Sequence, residues 1–357
     1  MKFFNANDDR TAVSPFRDAR AVETWDTWFR WREAGQLRDL TIEDTWERVA
    51  SALAAHAAHA PSYKQSLVDA FVHWHLLLDE RLLMHAGTAA RQRGGGLHAV
   101  LNAASFVRTS ASGHAHFDQA HFEAVAELAV QALDDAANLA ARTPGPAPCT
   151  RVGLIGLGDA LAVLGIEYDS DAGRTQAADI AKALAQGSLA GSIKLARERG
   201  ARTRCGTAWR ARARQRGYRP DLVEAAVAHG LRQGLHTAIT SQPRLALFAN
   251  AASDALDPAT ATDTEDGPCA HGKPDGIPPH GALAAGVTAQ LRLRAAMQPL
   301  IDEPIVYPVS IDREPDACDT QAWNEHARQL DLAPPTWRLA MRHAKAHQAP
   351  APGGYCA

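Results

Sequence analysis

Cysteine, excess charge and long apolar runs are all scarce in this chain, and each scarcity removes a class of protein. Five cysteines among 357 residues, irregularly spaced, exclude a disulfide framework and point to a reducing, cytosolic setting. A net charge of −3 gives no electrostatic basis for nucleic acid or an anionic membrane as partner. Arginine is dense between Arg197 and Arg219, but interspersed alanine and glycine make that stretch a solvated helical face. No run approaches the roughly eighteen apolar residues of a spanning helix. The first ten residues carry no apolar core of signal-peptide length, so cytoplasm is the expected location. The sixteen histidines do not assemble ligand spacing. His73 and His75 diverge on a helix, and the pairs His56/His59 and His114/His116 lack a carboxylate or cysteine partner, so no metal site is expected.

What is present is an ordinary globular composition, 46% hydrophobic and 22% charged, long enough for one large domain or two medium ones. From Val22 to Met84 the apolar spacing is helical. Trp25, Trp28 and Phe29 fall at i, i+3, i+4, as do Trp46, Val49 and Ala50 behind an N-cap at Thr41 with Asp44 three residues on. A further amphipathic helix is predicted over 65–84. After Gly94-Gly95-Gly96 the pattern predicts a strand over 99–107, a helix over 117–142 and a strand at Val152. Helices near 174–199 and 220–234 and a strand-like run Leu245 to Phe248 come next. Residues 257–281, rich in Pro, Gly, Asp and Thr, read as a mobile loop. A helix near 282–299, a strand at 305–309, a helix near 319–330 and a Pro/Ala tail complete the chain. Strands alternating with helices behind a helical N-terminal region favour α/β architecture.

The most informative stretch is 151–170, where an apolar strand runs into glycines at Gly153, Gly156 and Gly158 and then an apolar helix. Such a turn lets backbone approach closely and directs bare N–H groups outward. Two readings compete. In the first, the glycines cradle a pyrophosphate in a nicotinamide-dependent oxidoreductase, with Asp169 or Asp171 as the ribose acid. No second strand precedes those acids, however. In the second, the segment belongs to a large nucleotide-reducing barrel.

Several motifs support the second reading in one order. Arg151 to Ser170 resembles the Arg-Pro-Ile-Gly-Leu-Gly segment of ribonucleotide reductase large chains. Leu101-Asn102-Ala103-Ala104-Ser105-Phe106-Val107 is similar to the end of that family's Cys-Asn-Leu-Gly-Ser-Ile-Asn-Leu-Ala-x-Phe-Val strand. Leu133-Asp134-Asp135, Gly187 to Gly200 and Gly230-Leu231-Arg232 resemble its next helices. Ile239 to Asn250 sits where the family has its phosphate loop, followed by Leu256-Asp257-Pro258 for Ile-Glu-Pro. Ile301 to Ile305 and Thr336-Trp337-Arg338 resemble later segments, and Thr45 to Ala50 and Leu83 to Thr88 resemble helices near the start.

The resemblance implies a helix-rich, incomplete ribonucleotide-reductase-like α/β barrel with a helical N-terminal region. Its expected divisions are a loosely ordered 1–20, helices over 21–90, a half-barrel over 96–341 and a tail over 342–357. The family activity is reduction of ribonucleoside diphosphates to 2'-deoxyribonucleoside diphosphates through a thiyl radical on a cysteine in Asn-x-Cys-x-Glu. None of Cys149, Cys205, Cys269, Cys318 and Cys356 sits in that setting, and Gly96 stands where a reducing cysteine opens the family's strand. Cys356, near the end, lacks the second thiol that dithiol exchange needs. Only seven residues separate Thr88 from Gly96, so the finger-loop half is missing. The chain is therefore expected to be inactive alone, with no catalytic residue.

The family's Pro-Thr-Gly-Thr-Ile-Ser loop becomes Ser241-Gln242-Pro243-Arg244-Leu245-Ala246, where proline removes one N–H. Gly156, Gly158, Ser241, Gln242 and Arg244 are the candidate nucleotide- or phosphate-binding residues. Adenosylcobalamin is the cofactor implied by the branch it most resembles. A structural or regulatory module that completes a barrel with a partner chain, or a homo-oligomer, is the alternative reading, since an open sheet edge must be covered.

Overall fold

A computed structural model describes residues 15–55, 57, 59–90, 96–140, 149–234, 236–259, 286–311 and 313–339. Most of the loosely ordered N-terminus expected over 1–20, most of the 257–281 loop and the tail from 342 lie outside the described residues.

The N-terminal region runs through α1 (Ala19–Thr24), a π-helical turn Trp25–Phe29, the β1–β2 hairpin (Arg32–Glu33, Gln36–Leu37), α2 (Ile42–Ala54) and α3 (Ala60–Val72). Thr41 and Asp44 form a reciprocal capping box at the start of α2. Of Trp25, Trp28 and Phe29, set at helical spacing, only two join the core. The wider π turn leaves Trp25 and Phe29 buried but turns Trp28 outward, 47% exposed. The helix predicted over 65–84 is also corrected. α3 stops at Val72, Trp74 takes a left-handed φ of 57°, and Leu76–Leu78 forms strand β3 before α4 (Glu80–His85). Three adjacent leucines buried on both faces suit a core strand, which apolar periodicity does not distinguish from a buried helix.

The central sheet is built on β4 (Leu97–Asn102), with β3 antiparallel on one side and β7 (Thr150–Ile155) parallel on the other. The strand expected over 99–107 is shorter: a 3₁₀ turn at Ala103–Phe106 follows β4, then the hairpin β5 (Val107–Thr109) and β6 (Ala115–Phe117). The crossover helix α5 (Gln119–Ala140) joins β4 to β7, a βαβ unit. Beyond β7, α6 (Leu157–Val163) leads to α7 (Asp171–Arg199), α8 (Thr207–Gln215) and α9 (Pro220–His229). Residues 236–238 lie parallel to β7, with Val152 N–H on His236 O at 2.8 Å and Ala238 N–H on Val152 O at 3.1 Å.

The run Leu245–Phe248 is not a strand but part of α10 (Pro243–Phe248), because Pro243 supplies a helix-first residue. α11 (Val287–Met297), β8 (Val309–Ile311), α12 (Ala317–Gln329) and β9 (Trp337–Leu339) follow, and β8 pairs with β9 in parallel. The expected strand at 305–309 is displaced to 309–311. Among the described residues the strands do not close into a ring, consistent with the expected incomplete barrel.

α5 and α7 pack closely because Gly187 and Gly191 present bare backbone. A Cβ at Gly191 would sit 2.9 Å from Glu127 O and 3.0 Å from Val130 Cβ. The same pair is pinned by Asp134, fully buried, which accepts from Arg199 Nη1 at 2.8 Å and Arg232 Nε at 2.9 Å. Asp134→Ala leaves both cations without that carboxylate, and urea denaturation should show a loss of about 3–5 kcal/mol.

A second cluster ties β3 to α5. His75 stacks on Phe106 and lies 3.2 Å from His121 Nε2 through its Nδ1. Burial, with His121, His73 and Arg108 nearby, pushes the His75 imidazole down to about 4. The folded state thus favours neutral His75. That contribution is whole above about pH 6.5 and is lost as pH falls toward 4, on the order of 3 kcal/mol. Stability of the wild type should rise over this window more steeply than that of His75→Gln in parallel urea titrations.

Candidate functional site

The carboxyl ends of β4 and β7 are where an open α/β sheet offers a ligand site. Gly156 follows β7 with φ 71°, and its N–H donates to Ser253 O at 2.7 Å. A Cβ there would collide with Asn102 Oδ1, and a Cβ on Gly158 would meet the Asp257 carbonyl and the Ala259 amide. Gly156 is therefore required by its left-handed φ and by Asn102, and Gly158 by the 253–259 segment, which lies directly on it. Asp159 Oδ2 accepts from Ser253 N–H at 2.6 Å, and Tyr168 OH donates to Leu256 O at 2.7 Å.

That segment also joins the glycine turn to the 241–242 loop. Ser241 Oγ donates to Asp254 Oδ2 at 2.5 Å, and Gln242 N–H donates to Asp254 Oδ1 at 2.7 Å. Arg338, from β9, donates through Nη1 to Asp254 Oδ2 at 3.1 Å and Ser241 Oγ at 3.0 Å, and through Nη2 to Asp257. Tyr307 OH and Ser310 Oγ both donate to Asp257 Oδ1. Burial pushes the Asp257 carboxyl up from its usual range, and Arg338 opposes that rise. Tyr307 is driven well above its ordinary value by burial and by Asp257. Gln290 serves as a strand surrogate for β8, giving Nε2–H to Ser310 O at 2.8 Å and accepting Ser310 N–H at 2.9 Å.

Four of the expected site residues therefore converge: Gly156, Gly158, Ser241 and Gln242 all border the 253–259 segment. Arg244 does not join them. Its guanidinium pairs with Glu80 and stacks 4.0 Å above the Trp28 ring, which ties the loop to the N-terminal region. Nothing in the sequence marks Asp254, Tyr307 or Ser310, whereas Asp257 and Arg338 lie in segments that carry the family resemblance.

The cysteines stand away from this site. Cys149 is exposed at the opposite end of β7, its carbonyl accepting Leu97 N–H at 2.7 Å. Cys205 is buried beside Leu189, Ile193 and Leu222, where burial raises its thiol. Cys318 is exposed on α12. Cys269 and Cys356 lie outside the described residues. No group of three His, Cys, Asp or Glu among the described residues could hold a metal ion.

Residues 98–261 match the ribonucleotide reductase barrel domain. The match runs from β4 through the Asp257 segment and supports a ribonucleotide reductase-family protein. Within the reductase barrel domain it takes in Gly156, Ser241 and Asp254, whereas β8, β9 and Arg338 follow it. No curated protein matches the chain. Among the described residues no helix is long and apolar enough to cross a membrane.

Because Arg244 is engaged with Glu80 and Trp28, Arg244→Ala should lower stability by about 1 kcal/mol through the lost stack and ion pair. Calorimetric titration with a nucleoside diphosphate should give the same heats as wild type, and a smaller heat in the variant would return Arg244 to the site.

Proposed function

We propose that this chain is a non-reducing member of the ribonucleotide reductase family, a structural or regulatory module that completes a barrel with a partner chain. The observation that carries the reading is the state of the strand ends. They are filled by the chain's own 253–259 segment, and the described cysteines lie elsewhere. Thiyl chemistry needs a sulfur within reach of the ribose at that end, and a reducing pair to restore it. Adenosylcobalamin, which the resemblance implies, serves this chemistry by generating a radical on such a cysteine. The described residues at the strand ends do not supply one, so they do not fit that cofactor.

The partner half of the reading rests on β9. Its outer edge has no strand beside it among the described residues, and Trp337 and Leu339 are 41% and 47% exposed there. An edge of this kind invites a further strand. A second copy or another polypeptide of the cytoplasm would satisfy it.

Purified chain incubated with CDP or CTP, a dithiol and adenosylcobalamin should form no deoxynucleotide above a protein-free control. Stoichiometric deoxycytidine product would overturn the non-reducing reading. Light scattering behind size exclusion should show association in the purified chain or with a co-purifying polypeptide. A monomer at every concentration, with no companion, would remove the module reading.

A further inference from the structure

The strand-end site contains a feature that the non-reducing reading does not need. Three donors from two separate parts of the chain converge on one carboxylate: the Ser241 hydroxyl at 2.5 Å, the Gln242 amide at 2.7 Å and the Arg338 guanidinium at 3.1 Å from Asp254. A hydroxyl, a backbone N–H and a forked guanidinium around two oxygens is the donor set that recognises a phosphate-type oxyanion. Asp254 is 8% exposed, so its carboxylate has exchanged water for these donors.

The backbone that delivers Asp254 is strained. Asn250, Ala251 and Ala255 have φ of 59°, 57° and 45°, a left-handed conformation that side chains with a Cβ rarely adopt. Strain of this kind persists only where surrounding contacts over-determine it. Here Asp159 holds Ser253, and Tyr307 OH donates to Asp254 O at 3.3 Å. With Asp254 in place the local charges balance, because Arg338 serves both Asp254 and Asp257 while Arg294, 4% exposed, lies over the Tyr307 ring with its Nε unpaired. Without Asp254, two guanidinium groups would face the single carboxylate of Asp257.

We propose that Asp254 is a built-in occupant of an oxyanion cradle formed by Ser241, Gln242 and Arg338, which keeps phosphate-type ligands out of the wild-type chain. Removing that carboxylate opens the cradle to an inorganic or nucleotide phosphate. The proposal rests on the non-reducing reading only in that it explains why the site is closed. Its outcome is separate from any test of deoxynucleotide formation.

The test is calorimetric titration with inorganic pyrophosphate and orthophosphate on wild type, Asp254→Ala and Asp254→Ala/Arg338→Gln. Wild type should give no saturable heat in the millimolar range. Asp254→Ala should bind at least about tenfold more tightly than wild type, and the double variant should lose that gain. Phosphate should also raise the melting temperature of Asp254→Ala and not that of wild type, since a ligand stabilises only the state that binds it. A folded Asp254→Ala that binds no better than wild type overturns the proposal. So does a gain that survives loss of Arg338, or an Asp254→Ala chain that phosphate does not restore if it unfolds. Wild type that binds pyrophosphate as tightly as the variant overturns it too.

Discussion

One guanidinium sets the registry of this architecture at the strand ends. Arg338 comes from β9, near the end of the described chain, and reaches both Asp254 and Asp257. Desolvating three charged groups costs several kcal/mol per ion, and only good geometry with further hydrogen bonds recovers it. Here Ser241, Gln242, Tyr307 and Ser310 supply those bonds. Such a cluster adds little net stability relative to apolar packing, but it does not tolerate being half broken. Its effect is registry: it fixes β8 and β9 against the strand ends, and it holds the 253–259 segment down on the glycine turn.

The parts of the fold legible in the sequence are those whose signals are local. The capping box at Thr41 and Asp44, the long apolar stripes of α5 and α7, and the glycine turn after β7 each depend on residues a few positions apart. Short apolar runs were ambiguous by nature. Leu76–Leu78 forms a strand, where burial on both faces decided against the helical reading, and Leu245–Phe248 a helix, where Pro243 supplies the first residue. Half of the candidate site was legible, because glycines at a strand end have a backbone reason to be there. Asp254 was not, since Arg338 lies 84 residues away from it and no spacing rule connects them. Arg244 misled for a related reason. A cation in a phosphate-like loop reads as a ligand contact, yet Glu80, 164 residues earlier, claims it.

Two strand edges, one in each of the β3–β4–β7 and β8–β9 sheets, are covered unequally. β3 is buried along its length beneath the N-terminal helices, so that edge is covered from within. β9 is not. Val309 and Ile311 on β8 are buried against α11 and α12, but their register partners Trp337 and Leu339 are exposed on β9. Parallel register partners present side chains to the same face of a sheet. Among the described residues the helical cover thus ends one strand short. Under the proposed module reading, a partner at this side would add apolar surface over β9 as well as backbone hydrogen bonds at its edge. That requirement argues for a folded partner element rather than an isolated extended peptide.

The same reasoning changes what a glycine fingerprint means in this chain. Gly156 and Gly158 have the spacing that elsewhere signals a phosphate cradle, and the matched barrel domain contains both. Yet the atoms a Cβ at Gly158 would strike are the carbonyl of Asp257 and the amide of Ala259, so backbone already fills the space. Close approach of chain to chain and close approach of ligand to chain impose the same absence of a side chain. Packing would therefore preserve these glycines after any ligand was lost. The two demands separate at the neighbouring polar groups. A ligand site leaves its donors facing space, whereas here the Gly156 amide is given to Ser253, and the Ser241 hydroxyl and the Gln242 amide to Asp254. The glycines thus record the architecture of the barrel, and the occupied donors determine what it can bind.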